Sequence, residues 1–322
     1  MKESSVNGFS ECKGVITAGG IGFRMLPFSK EIPKEMFPII TYNGSHSLEL
    51  KPLVQAIFEQ LYSLGVRDFY FVVGRGKRAI EDHFSPDPGF SAFLKEKGRD
   101  AECLSHFYEK IRSSNIVFLN QPESLGFGDA VLLGRPFVKG TFIVQAGDTF
   151  ILSEGEEHLK RLALMHQKYQ ASATILLHEV PDPRQYGVVQ GTPLEDGVMR
   201  ITAAEEKPEK PQTNIAIMPL YVFTEEIFNA LSETEPGKNG ELQLTDAIQK
   251  LVTEGRPVIG VKLRTNELRL DMGTPETMVE ALRLSLGYVD AKAAKESLPM
   301  NLDNPALSAS EPKETIPLRK ER

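Results

Sequence analysis

Residues 14–40 read GVITAGGIGFRMLPFSKEIPKEMFPII, and this stretch decides the fold. The apolar pair Val15-Ile16 leads into three glycines, Gly19, Gly20 and Gly22. An apolar run that ends in clustered glycines is typical of a buried strand whose carboxyl end meets a ligand crevice. Glycine allows backbone N–H groups to converge on a phosphate, because no Cβ blocks the approach.

Three cations, Arg24, Lys30 and Lys34, follow the glycines within the same stretch. The glycines alone would fit a tight strand-to-helix turn with no ligand equally well. Clustered cations, however, repel one another unless an anion lies among them. The stretch therefore indicates a site for the phosphates of a nucleotide.

Two better-known glycine loops do not match this sequence. The P-loop string Gly-x-x-x-x-Gly-Lys-Ser/Thr does not occur in the chain. The dinucleotide fingerprint Gly-x-Gly-x-x-Gly begins at Gly20-Ile21-Gly22, but Met25 occupies the position of the third glycine. A hydride-transferring oxidoreductase with a degenerate loop stays open as an alternative, although the missing glycine speaks against it.

The composition is that of an ordinary globular protein of 322 residues, 41% hydrophobic and 25% charged. The net charge of -7 argues against a surface for nucleic acid or anionic membrane. No apolar run reaches about eighteen residues, and residues 1–12 lack the apolar core of a signal peptide, so a cytoplasmic protein is expected. Cys12 and Cys103 could form one disulfide, but the cytoplasm favours reduced thiols.

Apolar periodicity predicts strands and helices that alternate in the first half of the chain. A helix is predicted over residues 53–64, with strands over 69–73, 116–119 and 142–146. A helix between two such strands makes the crossover of a parallel sheet. Residues 74–78, GRGKR, are expected to form a solvated basic loop, and residues 85–115 an irregular insertion.

The second half changes character. Helices are predicted over residues 156–170 and 241–254, and strands over 173–180 and 258–263. Three short alternating segments favour an antiparallel region, at residues 188–190, 198–201 and 214–223.

Polar side chains follow several of the predicted strands. The amide of Gln121 could read the edge of a base, because it donates and accepts hydrogen bonds at once. Asp148 either caps the next element or meets phosphates through a bridging Mg²⁺, and Asp271 could share that metal. The Glu206-Lys207 pair is either a solvated surface pair or a holder of sugar hydroxyls and phosphate, and local sequence does not separate the two.

Ten short stretches in one order carry a family resemblance: AGGIGFRMLP, IPKEMFPI, GRGKRAIEDHF, QPESLGFGDAV, QAGDTF, YGVV, EEKP, NIAIMPLYVF, GELQLTDAI and LDMGTP. Through them, residues 12–287 resemble the sugar-nucleotide pyrophosphorylase family, and PKEM, GRGKRAIEDHF and GELQLTDAI resemble its uridylyltransferase branch. The resemblance implies an α/β fold with a Rossmann-like, mainly parallel central sheet flanked by helices, and a smaller antiparallel sugar-binding region.

The resemblance implies a role for each matching position. Gly19, Gly20 and Gly22 would wrap the nucleotide, and Gln121 and Gly126 would read the uracil. Arg24, Lys34, Asp148 and Lys207 would be catalytic, with Asp148 and Asp271 as ligands of Mg²⁺. Glucose 1-phosphate would be held by Gly187, Glu206 and Lys207. In one departure from the family, Phe23 stands where Thr or Ser is usual, which removes a hydroxyl that could donate to a phosphate.

The implied activity is transfer of a uridylyl group from UTP to glucose 1-phosphate by a Mg²⁺-dependent homo-oligomer. A thymidylyltransferase of the same family and a non-catalytic sensor of nucleotide sugars are the alternatives. The expected organisation is a flexible N-terminus over residues 1–12 and a catalytic domain over 13–287. That domain would divide into a nucleotide-binding half, 13–150, and a sugar-phosphate-binding half, 151–287, before a flexible tail over 288–322.

Overall fold

The computed structural model describes residues 9, 11–42, 47–98 and 102–295. The strands within them are β1 (Lys13–Ala18), β2 (Pro38–Tyr42), β3 (Leu48–Pro52), β4 (Asp68–Gly74), β5 (Asn115–Gln121), β6 (Phe142–Ala146), β7 (Thr149–Leu152), β8 (Ala173–Glu179), β9 (Gly187–Glu195), β10 (Val198–Glu206), β11 (Ile215–Phe223), β12 (Val258–Lys262) and β13 (Leu268–Asp271). The α-helices are α1 (Leu53–Ser63), α2 (Arg78–His83), α3 (Pro88–Glu96), α4 (Glu102–Arg112), α5 (Phe127–Leu132), α6 (Glu157–Lys168), α7 (Glu226–Ser232), α8 (Leu244–Thr253) and α9 (Pro275–Lys295). No helix of the described part combines the length and the apolar character needed to cross a bilayer.

One nine-stranded sheet organises the chain, with strand order β5-β4-β1-β6-β11-β8-β12-β10-β9. The strands β5, β4, β1 and β6 run parallel, as the predicted crossovers require. From β11 onward most neighbours pair antiparallel, although β8 and β12 remain parallel. The predicted α/β fold is confirmed, and the predicted antiparallel region is part of the same sheet.

The central strands of the sheet are buried on both faces, since side chains alternate along each strand and helices cover the two sides. In β1, Ile16 packs into the core formed with α1, α4 and α6, whereas Val15 packs into the core formed with α5, α7 and α8. Both side chains are fully buried. This two-sided burial fixes the register of β1 and therefore the direction in which the glycines after it leave the sheet.

Several sequence expectations differ from the structure. Residues 85–115 are not irregular, since they contain α3 and α4. Phe9 is buried and accepts a hydrogen bond from the Cys12 backbone N–H at 3.0 Å, so the flexible N-terminus does not extend to residue 12. At the other end α9 continues to Lys295, past the expected start of the tail at 288. The remaining residues of the two predicted flexible ends, 1–8, 10 and 296–322, lie outside the described residues.

Two buried histidines make the free energy of unfolding depend on pH. Burial lowers the pKa of His158 to about 3 and that of His166 to about 4. An unfolded histidine takes up a proton near pH 6.5. Between pH 6.5 and 4 the unfolded chain therefore binds more protons than the folded one, and the free energy of unfolding falls as the pH falls.

Between pH 7 and pH 4, we expect the free energy of unfolding to fall by about 3 kcal/mol less in His166→Gln than in the wild type. This amount corresponds to the lowered pKa of one histidine. Glutamine can keep the 3.0 Å hydrogen bond that His166 Nδ1 makes with Thr174 Oγ1. Urea unfolding of both proteins at several pH values measures the difference. Parallel pH profiles for the variant and the wild type would contradict the assignment.

Candidate active site

A cavity of about 530 Å³ lies where β1, β5 and β6 end. Of the candidate site residues that the sequence analysis named, all but Gly22 and Lys30 line it: Gly19, Gly20, Arg24, Lys34, Gln121, Gly126, Asp148, Gly187, Glu206, Lys207 and Asp271. The crevice at the carboxyl ends of parallel strands is where α/β sheets bind ligands. The cavity is therefore the candidate active site.

Of the glycines after β1, Gly19 is required by a close contact and Gly22 by its conformation. A Cβ on Gly19 would lie 1.9 Å from Gln121 Oε1, and a Cβ on Gly74 would lie 2.8 Å from the carbonyl oxygen of Gly19. Gly22 adopts the left-handed conformation with φ 71° and begins the short 3₁₀ turn Phe23–Met25 that carries Arg24. Gly22 thus shapes the loop without lining the cavity.

Two further residues of this loop point away from the cavity. The Phe23 side chain is 70% exposed, so the residue that replaces the usual hydroxyl is not turned toward the site. Lys30 is also exposed and pairs with Glu31 at 3.0 Å on the surface. Of the three cations after the glycines, Arg24 and Lys34 therefore remain as phosphate-binding candidates.

Lys34 and Asp148 form an ion pair inside the cavity. Burial opposes ionisation of both groups, but their mutual attraction outweighs it. The pKa of Asp148 consequently lies below its usual value, with Arg269 contributing, and the pKa of Lys34 lies above its usual value, with Glu35 contributing. Both side chains are charged at neutral pH, and each neutralises the other.

A second ion pair lies beneath the first. Glu35, next to Lys34 in the 3₁₀ turn Lys34–Met36, is 1% exposed and accepts a 2.7 Å hydrogen bond from Lys77 Nζ. A Cβ on Gly147 would lie 3.1 Å from Glu35 Cγ, so this pair packs directly under the residue that precedes Asp148. The expectation of a solvated basic loop over residues 74–78 is wrong for Lys77, which is 5% exposed.

We expect Lys77→Met to lower the free energy of unfolding by about 3–5 kcal/mol, because it leaves the buried Glu35 carboxylate without the cation that is hydrogen-bonded to it. In the double variant Glu35→Met/Lys77→Met no charge is left behind, and most of that loss should be recovered. Urea unfolding at pH 7 compares the three proteins. A double variant as unstable as Lys77→Met would show that packing, not charge, sets the cost.

The amide of Gln121 is held by its own surroundings. Its Nε2 donates to Asp129 Oδ2 at 2.8 Å and to the carbonyl oxygen of Gly126 at 3.2 Å. These bonds fix the amide plane and place Oε1 against Gly19. Gly126 has φ 113°, and a Cβ there would lie 2.6 Å from the Leu242 carbonyl oxygen, so close packing alone requires glycine at this position.

The Glu206-Lys207 pair belongs to the cavity and is not a solvated surface pair. Glu206 ends β10 opposite Gly187 of β9, and its Oε2 accepts a 2.7 Å hydrogen bond from Thr245 Oγ1. A Cβ on Gly187 would lie 2.6 Å from that same Oγ1. Lys207 Nζ lies 2.9 Å from Glu206 Oε1.

Sequence reasoning missed Thr245, whose hydroxyl orients Glu206. The signal was present, because Thr245 stands in the GELQLTDAI stretch at the start of α8. What the sequence did not reveal is that this helix faces the end of β10.

A small two-stranded sheet brings the two candidate metal ligands together. The strands β7 and β13 pair antiparallel with Asp271 opposite Thr149, and the Met272 N–H donates to the Asp148 carbonyl oxygen at 2.9 Å. Asp271 forms an ion pair with Arg269, and its Oδ1 accepts a hydrogen bond from the Gly273 N–H at 2.6 Å.

The donor set fits a hard divalent cation, since carboxylate oxygens are the protein ligands that Mg²⁺ takes. Among the residues that the structure describes, no group of three or more His, Cys, Asp or Glu side chains could hold a metal. A cation at Asp148 and Asp271 would therefore complete its shell with substrate and water oxygens, as Mg²⁺ does at phosphate-binding sites.

Comparisons with known proteins show the family to which the chain belongs. The family model described as "Nucleotidyl transferase" matches residues 13–286. A protein of Methanocaldococcus jannaschii is 39% identical over 266 residues, which cover 81% of this chain and 88% of the relative. A UTP–glucose-1-phosphate uridylyltransferase of Pseudomonas aeruginosa is 34% identical over 275 residues, covering 84% and 94% of the two chains.

A solved structure is similar over the same region. The crystal structure of a UDP-glucose pyrophosphorylase complexed with UDP-glucose superposes with a TM-score of 0.72 at 32% identity. The match covers 87% of this chain and 99% of that one.

Proposed function

Because the chain belongs to the nucleotidyl transferase family, we propose that it makes UDP-glucose and pyrophosphate from UTP and glucose 1-phosphate. The observation that carries the proposal is the single cavity that joins the loop at Gly19-Gly20 to the Glu206-Lys207 pair. The Gly19-Gly20 end offers backbone N–H groups to the phosphates of a nucleotide. The Glu206-Lys207 end offers a carboxylate and an ammonium group to a sugar phosphate. Transfer between two substrates requires both ends to lie within one site.

The reaction is an in-line displacement at phosphorus. A phosphate oxygen of glucose 1-phosphate attacks the α-phosphorus of UTP, the bond from that phosphorus to the β-phosphate oxygen breaks, and pyrophosphate leaves. A phosphate monoester is already largely dianionic near neutral pH, since its second pKa is about 6, so the nucleophile needs no strong general base. Accordingly, none of the described residues that line the cavity is a histidine or a cysteine.

The main barrier is the repulsion between a dianion and a triphosphate, and the cations of the cavity oppose it. Lys34 lies beside Asp148 at the end of β6 and is placed to contact the reacting phosphates. Arg24, on the turn after the glycines, is assigned to the departing pyrophosphate. Lys207 is assigned to the phosphate of the sugar. Ion pairs with Asp148 and Glu206 hold Lys34 and Lys207 in position before the substrates arrive, so these two groups need little reorganisation.

Asp148 and Asp271 are the residues that would hold Mg²⁺. When bound, this ion would add positive charge against the α-phosphate and so favour the transition state. The support for the assignment is that both carboxylates line the cavity on adjoining backbone segments.

A pyrophosphate-release assay tests the proposal. With Mg²⁺ present, four nucleoside triphosphates, UTP and dTTP among them, are crossed with several sugar 1-phosphates, and kcat/KM is measured for each pair. We expect the highest value for UTP with glucose 1-phosphate. A preference for dTTP would indicate a thymidylyltransferase instead, and calorimetric binding of UDP-glucose without any pyrophosphate release would indicate a sensor.

A further inference from the structure

Arg269 is a cavity residue to which the sequence assigned no role. It lies on β13 two residues before Asp271, so both side chains project from the same face of the strand. Its side chain is 15% exposed and lines the cavity. Its guanidinium pairs with Asp271 and donates from Nη1 to Tyr186 Oη at 3.2 Å.

The guanidinium has hydrogen-bonding capacity that the protein does not use. Its Nε is buried and makes no hydrogen bond within the described part of the chain. A buried polar group without a partner is costly and rare, so this guanidinium is held with part of its hydrogen bonding incomplete. Arginine carries five N–H donors in a planar fork that matches phosphate oxygens.

The part of the cavity at Glu206-Lys207, here called the sugar end, needs a further cation to balance the charge of a bound phosphate. Glu206 and Asp271 line this part of the cavity, and each is paired with one cation, Lys207 and Arg269 respectively. If Lys207 were the only cation, a dianionic phosphate that enters here would face two carboxylates and one positive charge. Arg269 supplies a second positive charge at this position.

Tyr186 connects Arg269 to the sugar end specifically. The Tyr186 carbonyl oxygen accepts a 3.0 Å hydrogen bond from the Lys207 N–H, and Gly187 follows Tyr186 directly. The Arg269 guanidinium also lies 5.2 Å from the centroid of the Tyr186 ring. Arg24 lies on the other side of Asp271, next to the residues that follow it, since a Cβ on Gly273 would lie 3.0 Å from Arg24 Nη2.

From these contacts we propose that Arg269 is a further catalytic residue, whose guanidinium contacts the phosphate of glucose 1-phosphate together with Lys207. The inference rests on the proposed function and names one more group of the same site. Arg24 then serves the nucleotide side of Asp271 and Arg269 the sugar side. The Tyr186 ring and hydroxyl hold the guanidinium in one orientation, so the phosphate meets a fork that is already in place.

The test compares Arg269→Met and Arg269→Lys with the wild type. Arg256→Met is the matched control, because Arg256 pairs with Glu226 at 2.8 Å and does not line the cavity. Steady-state kinetics give KM for each substrate, and half-saturation for Mg²⁺ is measured separately. Calorimetry gives the Kd of glucose 1-phosphate for enzyme loaded with Mg²⁺ and a UTP analogue whose α,β-bridge is methylene.

We expect Arg269→Met to raise both KM and Kd for glucose 1-phosphate by about ten- to hundredfold, the usual effect of losing hydrogen bonds to a charged group. KM for UTP and the Mg²⁺ requirement should change less than about threefold, and Arg269→Lys should recover part of the loss. If Arg269→Met does not fold, Arg269→Lys carries the test, with a smaller rise in KM and Kd for glucose 1-phosphate alone.

Two results would overturn the inference. Equal rises in KM for UTP and glucose 1-phosphate would do so, as would a raised Mg²⁺ requirement with unchanged binding of the sugar phosphate, which would make Arg269 a positioning residue for Asp271. Failure of the proposed function is recognised separately, because the wild type would then release no pyrophosphate from UTP and glucose 1-phosphate.

Discussion

Asp148→Asn is expected to lower kcat by about a hundredfold or more, while the protein stays folded. Asparagine keeps the shape of the side chain and removes its charge. The change affects two interactions of the site at once, because the Asp148 carboxylate is the counter-ion of Lys34 and one of the two proposed Mg²⁺ ligands. An amide oxygen is a weaker partner than a carboxylate for both cations.

Three measurements separate the two effects. We expect the Mg²⁺ concentration for half-maximal rate to rise in Asp148→Asn, and the thermal unfolding midpoint to fall, because Lys34 loses the carboxylate with which it pairs. Asp182→Asn is the control, since Asp182 is an exposed carboxylate that pairs with Arg184 at 2.7 Å, and it should leave both kcat and the Mg²⁺ requirement unchanged. A kcat near the wild-type value for Asp148→Asn would remove this residue from the mechanism.

The sequence could predict the part of the site that follows β1 and β6, because neighbouring residues and strand direction determine where these side chains lie. The strand β1 is followed by Gly19, where a close contact excludes a side chain, and Asp148 lies two residues beyond the end of β6, a strand that is buried on both faces. A parallel arrangement then places both at one edge of the sheet. These relations depend on neighbouring residues and on strand direction, which periodicity reveals.

Pairings between distant segments could not be predicted in the same way. Asp148 and Asp271 meet because the four-residue strands β7 and β13 pair, and such short strands carry little periodic signal. For the same reason Arg269 went unnoticed, although its spacing of two from Asp271 on a strand would have placed both on one face. Lys77 was expected in solvent because its partner, Glu35, lies far away in sequence.

The helices α3 and α4 were missed for a different reason. Phe90 and Phe93 on α3 are about half-exposed, so this helix lacks the buried apolar face whose spacing usually indicates a packed helix. Pro86, Pro88 and Gly89 also read as breakers, yet Asp87 accepts a hydrogen bond from the Phe90 N–H at 2.8 Å and Pro88 occupies the first turn. A proline at the start of a helix is favourable, because its missing N–H would have no partner there.

Lys207→Ala is expected to lower kcat/KM for glucose 1-phosphate by about a hundredfold or more, with little effect on the binding of UTP. The ammonium of Lys207 lies 2.9 Å from Glu206 Oε1 and lines the sugar end of the cavity. Without it the Glu206 carboxylate faces the incoming dianion with no counter-charge beside it. The nucleotide loop at Gly19-Gly20 belongs to a different part of the sheet and is not altered.

The matched control is Lys210→Ala, which removes an exposed lysine three residues further along the chain and should leave both substrates unaffected. Substrate kinetics and the calorimetric Kd of glucose 1-phosphate are compared for the two variants. An equal weakening of UTP and glucose 1-phosphate in Lys207→Ala would contradict the assignment. The left-handed backbone of Lys207, with φ 45°, would then be the better explanation, because a residue held in that conformation can disturb the loop when its side-chain contacts are lost. A selective loss for the sugar phosphate instead identifies the Lys207 charge, not the fold of its loop, as the source of the effect.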